Sequence, residues 1–323
     1  MPLSGSLPPV RSANAGRTGG TTATVSALRP AAPRRRRLDR DRLAPYVLVA
    51  PALLVLVLLR LWPLILGVNF SFTGDGDRNG TTVGLSNYAE LFADPVFRTA
   101  LRNVALLVAL LPVAVAIPGL LATFIFLRVP GHRFFRSVYF FPAVLSPVII
   151  GAIFNLLLGA DGPLNSALEA VGLPAVDWLG EPKLAIFVVV AVHIWATFGM
   201  ALVVFLSGFA TLDTTLLDAA RSDGASTPRV IWHVIIPALS RTIQFVFVTT
   251  MIGMLTGMFG LIYVMTAGGP GGATYLPEFY IWVTQGQLNS PALASAASMV
   301  LFVLMLLVGF AQLRLIKRAT REV

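Results

Sequence analysis

Apolar residues in this chain gather into six long blocks, at about 45–70, 101–127, 137–159, 184–207, 237–265 and 292–316. Each holds roughly 20 or more residues, enough for a helix to cross a hydrocarbon core of about 30 Å. None alternates strictly between apolar and polar positions, as a strand of a membrane barrel does. In lipid every backbone amide must find its partner inside the segment, so such blocks predict helices. The expected fold class is an all-α membrane protein with six transmembrane helices. Composition agrees: 56% of the residues are hydrophobic and 12% charged, against roughly 25% charged in a soluble domain.

The polar stretches between the blocks set an orientation. Arg11, Arg17, Arg29, Arg34 to Arg37, Arg40 and Arg42 precede the first block, and Arg128, Arg133 and Arg136 occupy the loop 128–136. Arg314, Lys317, Arg318 and Arg321 close the chain against Glu322. The intervening loops are acidic: Asp75, Asp77, Glu90 and Asp94 lie in 71–100, and Asp161, Glu169, Asp177 and Glu181 in 160–183. The segment 266–291 has Glu278 and neither Lys nor Arg. Short basic loops stay on the cytoplasmic side, so both termini are expected there. The expected localisation is a bacterial plasma (inner) membrane, crossed several times.

Residues 1–44 are rich in Ser, Gly, Pro and Arg without apolar periodicity and read as a disordered basic tail, followed by a membrane domain over 45–318 and a short cytoplasmic end over 319–323. The net charge of +9 is concentrated in that tail. Beside a membrane span such charge serves anionic lipid rather than nucleic acid. With no cysteine, a disulfide or a Cys-based metal site is excluded. His132, His193 and His233 are too scattered for a metal cluster, so no metal and no bound cofactor are expected.

The connection 208–236 differs from the other basic-side loops. It carries both signs of charge in Asp213, Asp218, Asp223, Arg221 and Arg229, and Leu212, Leu216, Ala219, Ala220 and Asp223 recur at helical spacing. A short amphipathic helix at the membrane surface is predicted, whose apolar face must meet lipid or another protein. Within it runs Asp218-Ala219-Ala220-Arg221-Ser222-Asp223-Gly224-Ala225, followed by Pro237-Ala238-Leu239.

That run resembles the EAA loop of binding-protein-dependent ABC importer permeases: an acid, two alanines, two variable residues, Asp-Gly-Ala, and a proline twelve positions on. The resemblance implies a type I importer permease fold in which this loop, about 208–239, is a coupling helix seated in a cleft of an ATP-binding subunit. Asp218, Ala219, Ala220, Asp223, Gly224, Ala225 and Pro237 are the residues carried over. Asp218 stands where Glu is usual, Ile231 where an aromatic is common, and Pro228 interrupts a stretch that usually continues. The resemblance extends to Phe154-Asn155-Leu156 with Gly162-Pro163-Leu164-Asn165, and to Tyr263-Val264-Met265-Thr266-Ala267-Gly268-Gly269-Pro270 with Ala273-Thr274. These resemble the carbohydrate branch, which implies import of a di- or oligosaccharide, with polyols and glycerol phosphates in the same range.

The same resemblance implies partners: a second homologous permease, two copies of an ATP-binding subunit that use ATP and Mg, and an extracytoplasmic solute-binding protein. The chain has no G-x-x-x-x-G-K-[ST] run for nucleotide and is expected to be non-catalytic. Polar groups inside spans are candidates for the solute pathway. Asn155, Trp195, Thr197, Thr249, Thr250 and Tyr263 are those candidates, although a threonine also bonds its own helix and a Trp or Tyr also serves an interfacial belt. Arg60, near Trp62 and Pro63, reads as snorkelling to the outer surface or as a gate. An ion-coupled secondary transporter is the competing class. It calls for internal repeats and carboxylates within the spans, and the six blocks have essentially none.

Overall fold

The computed structural model describes residues 40–75, 82–127 and 141–319. The chain divides into two units, Met1–Val55 and Leu56–Val323. The first unit is described only from Arg40, where helix α1 (Arg40–Leu56) begins. The helix thus starts within the stretch expected as tail, and the rest of that tail, the loop 128–136, residues 137–140 of the third block and the last residues 320–323 lie outside the described residues. A π-turn over Val57–Leu61, which holds Arg60, leads to α2 (Trp62–Ser71).

In the second unit α3 (Ser86–Ala93) and α4 (Pro95–Phe126) follow. A 3-10 turn at Phe141–Val144 precedes α5 (Pro147–Leu157), and α6 (Pro163–Ala170) and α7 (Pro182–Ala210) come next. The EAA region forms α8 (Thr214–Ser222), α9 (Thr227–Val230), a π-turn over Ile231–Ile235 and α10 (Ile236–Ala238). Then come α11 (Ser240–Thr256), α12 (Phe259–Met265), α13 (Pro277–Gly286) and α14 (Pro291–Ala319). Beyond an isolated antiparallel bridge between Thr73 and Thr82, the described residues hold no extended pairing.

Among the described residues, four apolar helical stretches are long enough to cross a membrane: Pro45–Ser71, Pro95–Phe126, Pro182–Ala210 and Pro291–Gln312. A fifth arises if Thr227–Ala238 and Ser240–Thr256, bent by 75°, form one span. The third block is described only from Phe141 on, where it holds an 11-residue helix, about 16 Å long at 1.5 Å per residue. One expectation changes here. The fifth block is not one straight helix. Pro237 lacks an amide to continue the ladder, the chain bends at Leu239, and α11 ends at Gly257 before restarting as α12.

Helix starts follow local chemistry. Helices α4, α5, α6, α7, α13 and α14 each open on proline, whose missing N–H and fixed φ suit a first turn. Asp94 caps α4 by accepting from the Val96 amide at 2.7 Å. Asp75 caps α14 from far away in sequence: it accepts from the Ala292 amide at 2.7 Å and from the Ser290 hydroxyl. Helices α4, α7 and α11 pack together around Leu107, Leu111, Val189, Leu202 and Met254, all buried. Gly208 lets α7 approach α11 so closely that a Cβ there would lie 2.6 Å from Thr242 Oγ1.

Asn165 organises the connection between α5 and α7. It is buried, and its amide nitrogen reaches the carbonyls of Gly159, Ala160 and Val176, while its oxygen accepts from the Val176 amide and the Trp178 indole at 3.0 Å each. Asn165→Leu keeps the volume and strands these partners. Buried unpaired polar groups cost about 1–3 kcal/mol each, so a loss of about 2–4 kcal/mol is expected, read as a lowered thermal midpoint of the purified chain; an unchanged midpoint would show that water replaces the side chain.

Candidate functional site: the coupling loop and an adjoining cavity

Helix α8 begins after Asp213, whose carboxylate accepts from the Thr215 amide at 2.9 Å. This bond holds the Asp213 carboxyl below its ordinary range. At the other end Gly224 has φ +77°, and the Ala225 amide reaches back to the Ala220 carbonyl at 3.0 Å. This is a helix stop with glycine in the left-handed position, where other residues are strained. The expected apolar stripe divides: Leu217 is buried and Leu212, Ala220 and Ala225 face inward, whereas Leu216 (53% exposed), Ala219 and Asp223 face out. Asp218 and Gly224 are exposed as well. Nothing lies within 4 Å of a Cβ built on Gly224. The exposed face is therefore small, shallow and acidic at its end.

Pro228 interrupts nothing. It sits in the first turn of α9, where the missing amide has no role. Ile231 is half-buried and lines a groove with Phe124, Phe205 and Phe247. Pro237 lies exposed beside the 75° bend into α11.

A cavity of about 570 Å³ opens between α4, α5, α7 and α11. Thr197, Thr249 and Thr250 line it together with His193, Ile150, Gly253 and Met254. The Thr197 hydroxyl donates to the His193 carbonyl at 2.8 Å, and the Thr249 hydroxyl to the Phe245 carbonyl at 3.0 Å. Each of these hydroxyls still has lone pairs to accept a bond from a solute. His193, not among the pathway candidates from the sequence, joins them.

The other three pathway candidates lie elsewhere. Asn155 donates from its amide to the carbonyls of Val264, at 3.3 Å, and Met265, at 2.9 Å, closing the end of α12. Trp195 (39% exposed) packs edge-on against Phe154 at 5.2 Å. Tyr263 stacks on Phe259 and meets Trp282 at 5.2 Å, at an interplanar angle of 85°.

The glycine-rich segment after α12 is tightly built. The Asn103 amide, buried on α4, donates to the carbonyls of Ala273 at 2.8 Å and Tyr275 at 2.9 Å. Thr274 donates to the Gly269 carbonyl and shares a hydroxyl bond with Thr266. Tyr280 donates to Asp94 at 2.6 Å, tying α13 to the start of α4. Sequence reasoning missed Asn103 and Tyr280. The one signal for Asn103 was a lone amide side chain in an apolar block.

Comparison with known proteins places these features. Residues 80–321 match the family described as "Binding-protein-dependent transport system inner membrane component". The arabinooligosaccharides transport system permease protein AraP of Bacillus subtilis is 30% identical over 281 residues, covering 84% of this chain and 88% of that protein. The diacetylchitobiose uptake system permease protein NgcF of Streptomyces coelicolor is 31% identical over 268 residues, covering 77% of this chain and 75% of that protein. Among solved structures, a chain of a bacterial alginate ABC transporter in complex with its alginate pentasaccharide-bound periplasmic protein superposes with a TM-score of 0.77 at 22% identity. That match covers 88% of this chain and 98% of the other, and so shows a shared fold. The family match spans most of the chain, including the α8–α9 turn, and the chain belongs to the inner-membrane permeases of binding-protein-dependent ABC transport systems.

Proposed function

We propose that this chain is one of two permease subunits of an ATP-driven importer that takes a di- or oligosaccharide from a solute-binding protein. The cavity carries the reading. Its volume of about 570 Å³ falls within the roughly 300–1,000 Å³ of small-molecule sites, and its polar groups are hydroxyls and one imidazole, the chemistry that meets sugar hydroxyls without demanding a charge. The names of similar permeases point to saccharide cargoes too, arabinooligosaccharides and diacetylchitobiose among them.

Coupling follows from connectivity. Helix α7, which carries Thr197, runs directly into α8, and α11, which carries Thr249 and Thr250, follows the bend after α10. A push on the exposed face of Leu216, Ala219, Asp223 and Gly224 is thereby delivered to both walls of the cavity. In this reading two ATP-binding subunits hold ATP and Mg, and one of them receives this face. The chain itself binds no cofactor, and a second homologous permease completes the pathway. Six crossings with both termini cytoplasmic account for the loop charges.

The test is ATP hydrolysis by the assembled complex in lipid, with its binding protein and a panel of arabinotriose, diacetylchitobiose, polyols and glycerol phosphate. Stimulation by an oligosaccharide supports the reading and names the cargo class. Stimulation only by a charged or non-sugar solute would overturn the sugar assignment.

A further inference from the structure

Aromatic rings from α12 and α13 meet beside the cavity, and two of them stand open. Phe259 and Tyr263 lie one turn apart on α12 and stack at 5.8 Å, with an interplanar angle of 18°. Phe279 and Trp282 lie one turn apart on α13, with centroids 5.6 Å apart. Trp282 crosses Phe259 at 68° and Tyr263 at 85°. Phe279 is buried and Phe259 half-buried, whereas Tyr263 is 48% exposed and Trp282 37%. The result is a corner of two nearly perpendicular rings, braced from behind by the two phenylalanines.

The polar tips of this corner are uncommitted. Neither the Tyr263 hydroxyl nor the Trp282 indole N–H has a hydrogen-bond partner among the described residues. The hydroxyl both donates and accepts, and the indole donates. The segment 266–291 carries no Lys or Arg, so its own residues bring no cation to the corner. The corner also adjoins the cavity. Gly260 follows Phe259, a Cβ built on it would lie 3.3 Å from Pro147 Cβ, and Pro147 lines the cavity. The α11 wall of the cavity, with Gly253 and Met254, continues into α12 across the break at Gly257. Ten residues separate Gly253 from Tyr263, about 15 Å along a helix axis.

We propose that Tyr263 and Trp282 form a second saccharide subsite, where a sugar ring lays its C–H face on an aromatic plane and its hydroxyls meet the phenol and the indole N–H. This rests on the sugar reading above and deepens it. The cavity recognises hydroxyls, while the corner recognises the flat C–H face of a sugar. The electron-rich face of an aromatic ring attracts the weakly positive hydrogens of such C–H bonds. Because the rings are braced before cargo arrives, little rotamer freedom is lost on binding. Cargo long enough to touch both places gains from both, which favours oligosaccharides over single sugars. A Trp and a Tyr in an interfacial belt also stand exposed with free tips, but such a belt touches lipid and does not respond to sugar.

Fluorine NMR separates the two. The sample is the assembled complex in lipid nanodiscs with its binding protein, carrying 5-fluorotryptophan, and Trp282→Phe identifies the Trp282 signal. Arabinotriose and diacetylchitobiose are the probes, and ATP hydrolysis is read on the same sample. The Trp282 signal should move on addition of a stimulating saccharide and keep its width when spin-labelled lipid is added. Tyr263→Leu and Trp282→Leu, which keep apolar bulk, should each raise the concentration for half-maximal stimulation about tenfold. Stimulation by a saccharide with no movement of the Trp282 signal, or a signal broadened by spin-labelled lipid, would overturn the subsite and leave the sugar reading standing. Stimulation by glycerol phosphate alone would remove the sugar reading, and the subsite with it.

Discussion

Gly268→Ala is expected to lower the thermal midpoint of the purified protein by about 5–10 °C, the largest effect of any single methyl group in the segment after α12. Gly268 has φ +83°, and a Cβ there would lie 2.3 Å from Tyr275 Cε2 and 2.7 Å from Phe279 Cε1. Phe279 is buried and Tyr275 half-buried, so the rings yield only by repacking. Tyr275 and Phe279 pack edge to face at 5.0 Å, Phe279 is 2% exposed, and the Tyr275 carbonyl is held by Asn103. Left-handed strain of about 1–3 kcal/mol and overpacking of about 1–3 kcal/mol add, because they act on different coordinates. The neighbouring Gly271 is the control. Its φ is +57°, yet nothing lies within 4 Å of a Cβ, so Gly271→Ala should cost only the strain. Equal midpoints for the two variants would mean that the segment repacks and that the close approach at Gly268 is not needed.

The second large effect concerns exchange with the partner rather than folding. Gly224→Asp should leave the chain folded and abolish uptake. Aspartate tolerates the left-handed region better than most residues, and the open space around Gly224 removes any clash within the chain, so the fold should lose about 1 kcal/mol. In the proposed docking on an ATP-binding subunit the same carboxylate enters a closed contact. An unpaired buried charge costs about 3–5 kcal/mol, a hundredfold or more in assembly. Expected, then, are normal amounts of protein with a normal thermal midpoint, loss of co-purifying ATPase, and uptake reduced by roughly that factor. Normal uptake by Gly224→Asp would remove the docking role of the α8–α9 turn, while leaving the fold and the cavity untouched.

The structure also reassigns polar residues whose types had looked functional. Asn155 and Asn165 belong to the same motif-bearing stretch, and both spend their amides on backbone carbonyls. Thr197, Thr249 and Thr250 come together at one cavity although the third lies over fifty positions from the first. Intramembrane polarity marked Asn155, Thr197, Thr249 and Thr250 equally, whereas Asn165 stood only in the motif. Only the packing of α7 against α11 separated those that face open space from those that tie the chain together.

What the sequence determined by itself was local. The length of the apolar blocks, the prolines that open α4, α5, α6, α7, α13 and α14, the Asp94 and Asp213 caps, and the glycine stop at Gly224 are all written within a few residues of where they act. Helix formation and capping are short-range, so their signals survive in sequence. Tertiary structure decided the rest: the break of the fifth span at Gly257, the inward turn of Leu217 in place of Leu216, and the Asn103 clamp on the segment after α12. Each of these depends on which partner a side chain or amide finds across the fold. Hydrogen bonds between residues such as Asn103 and Tyr275 are fixed only when α4, α12 and α13 have packed, and no periodicity along the chain encodes that encounter.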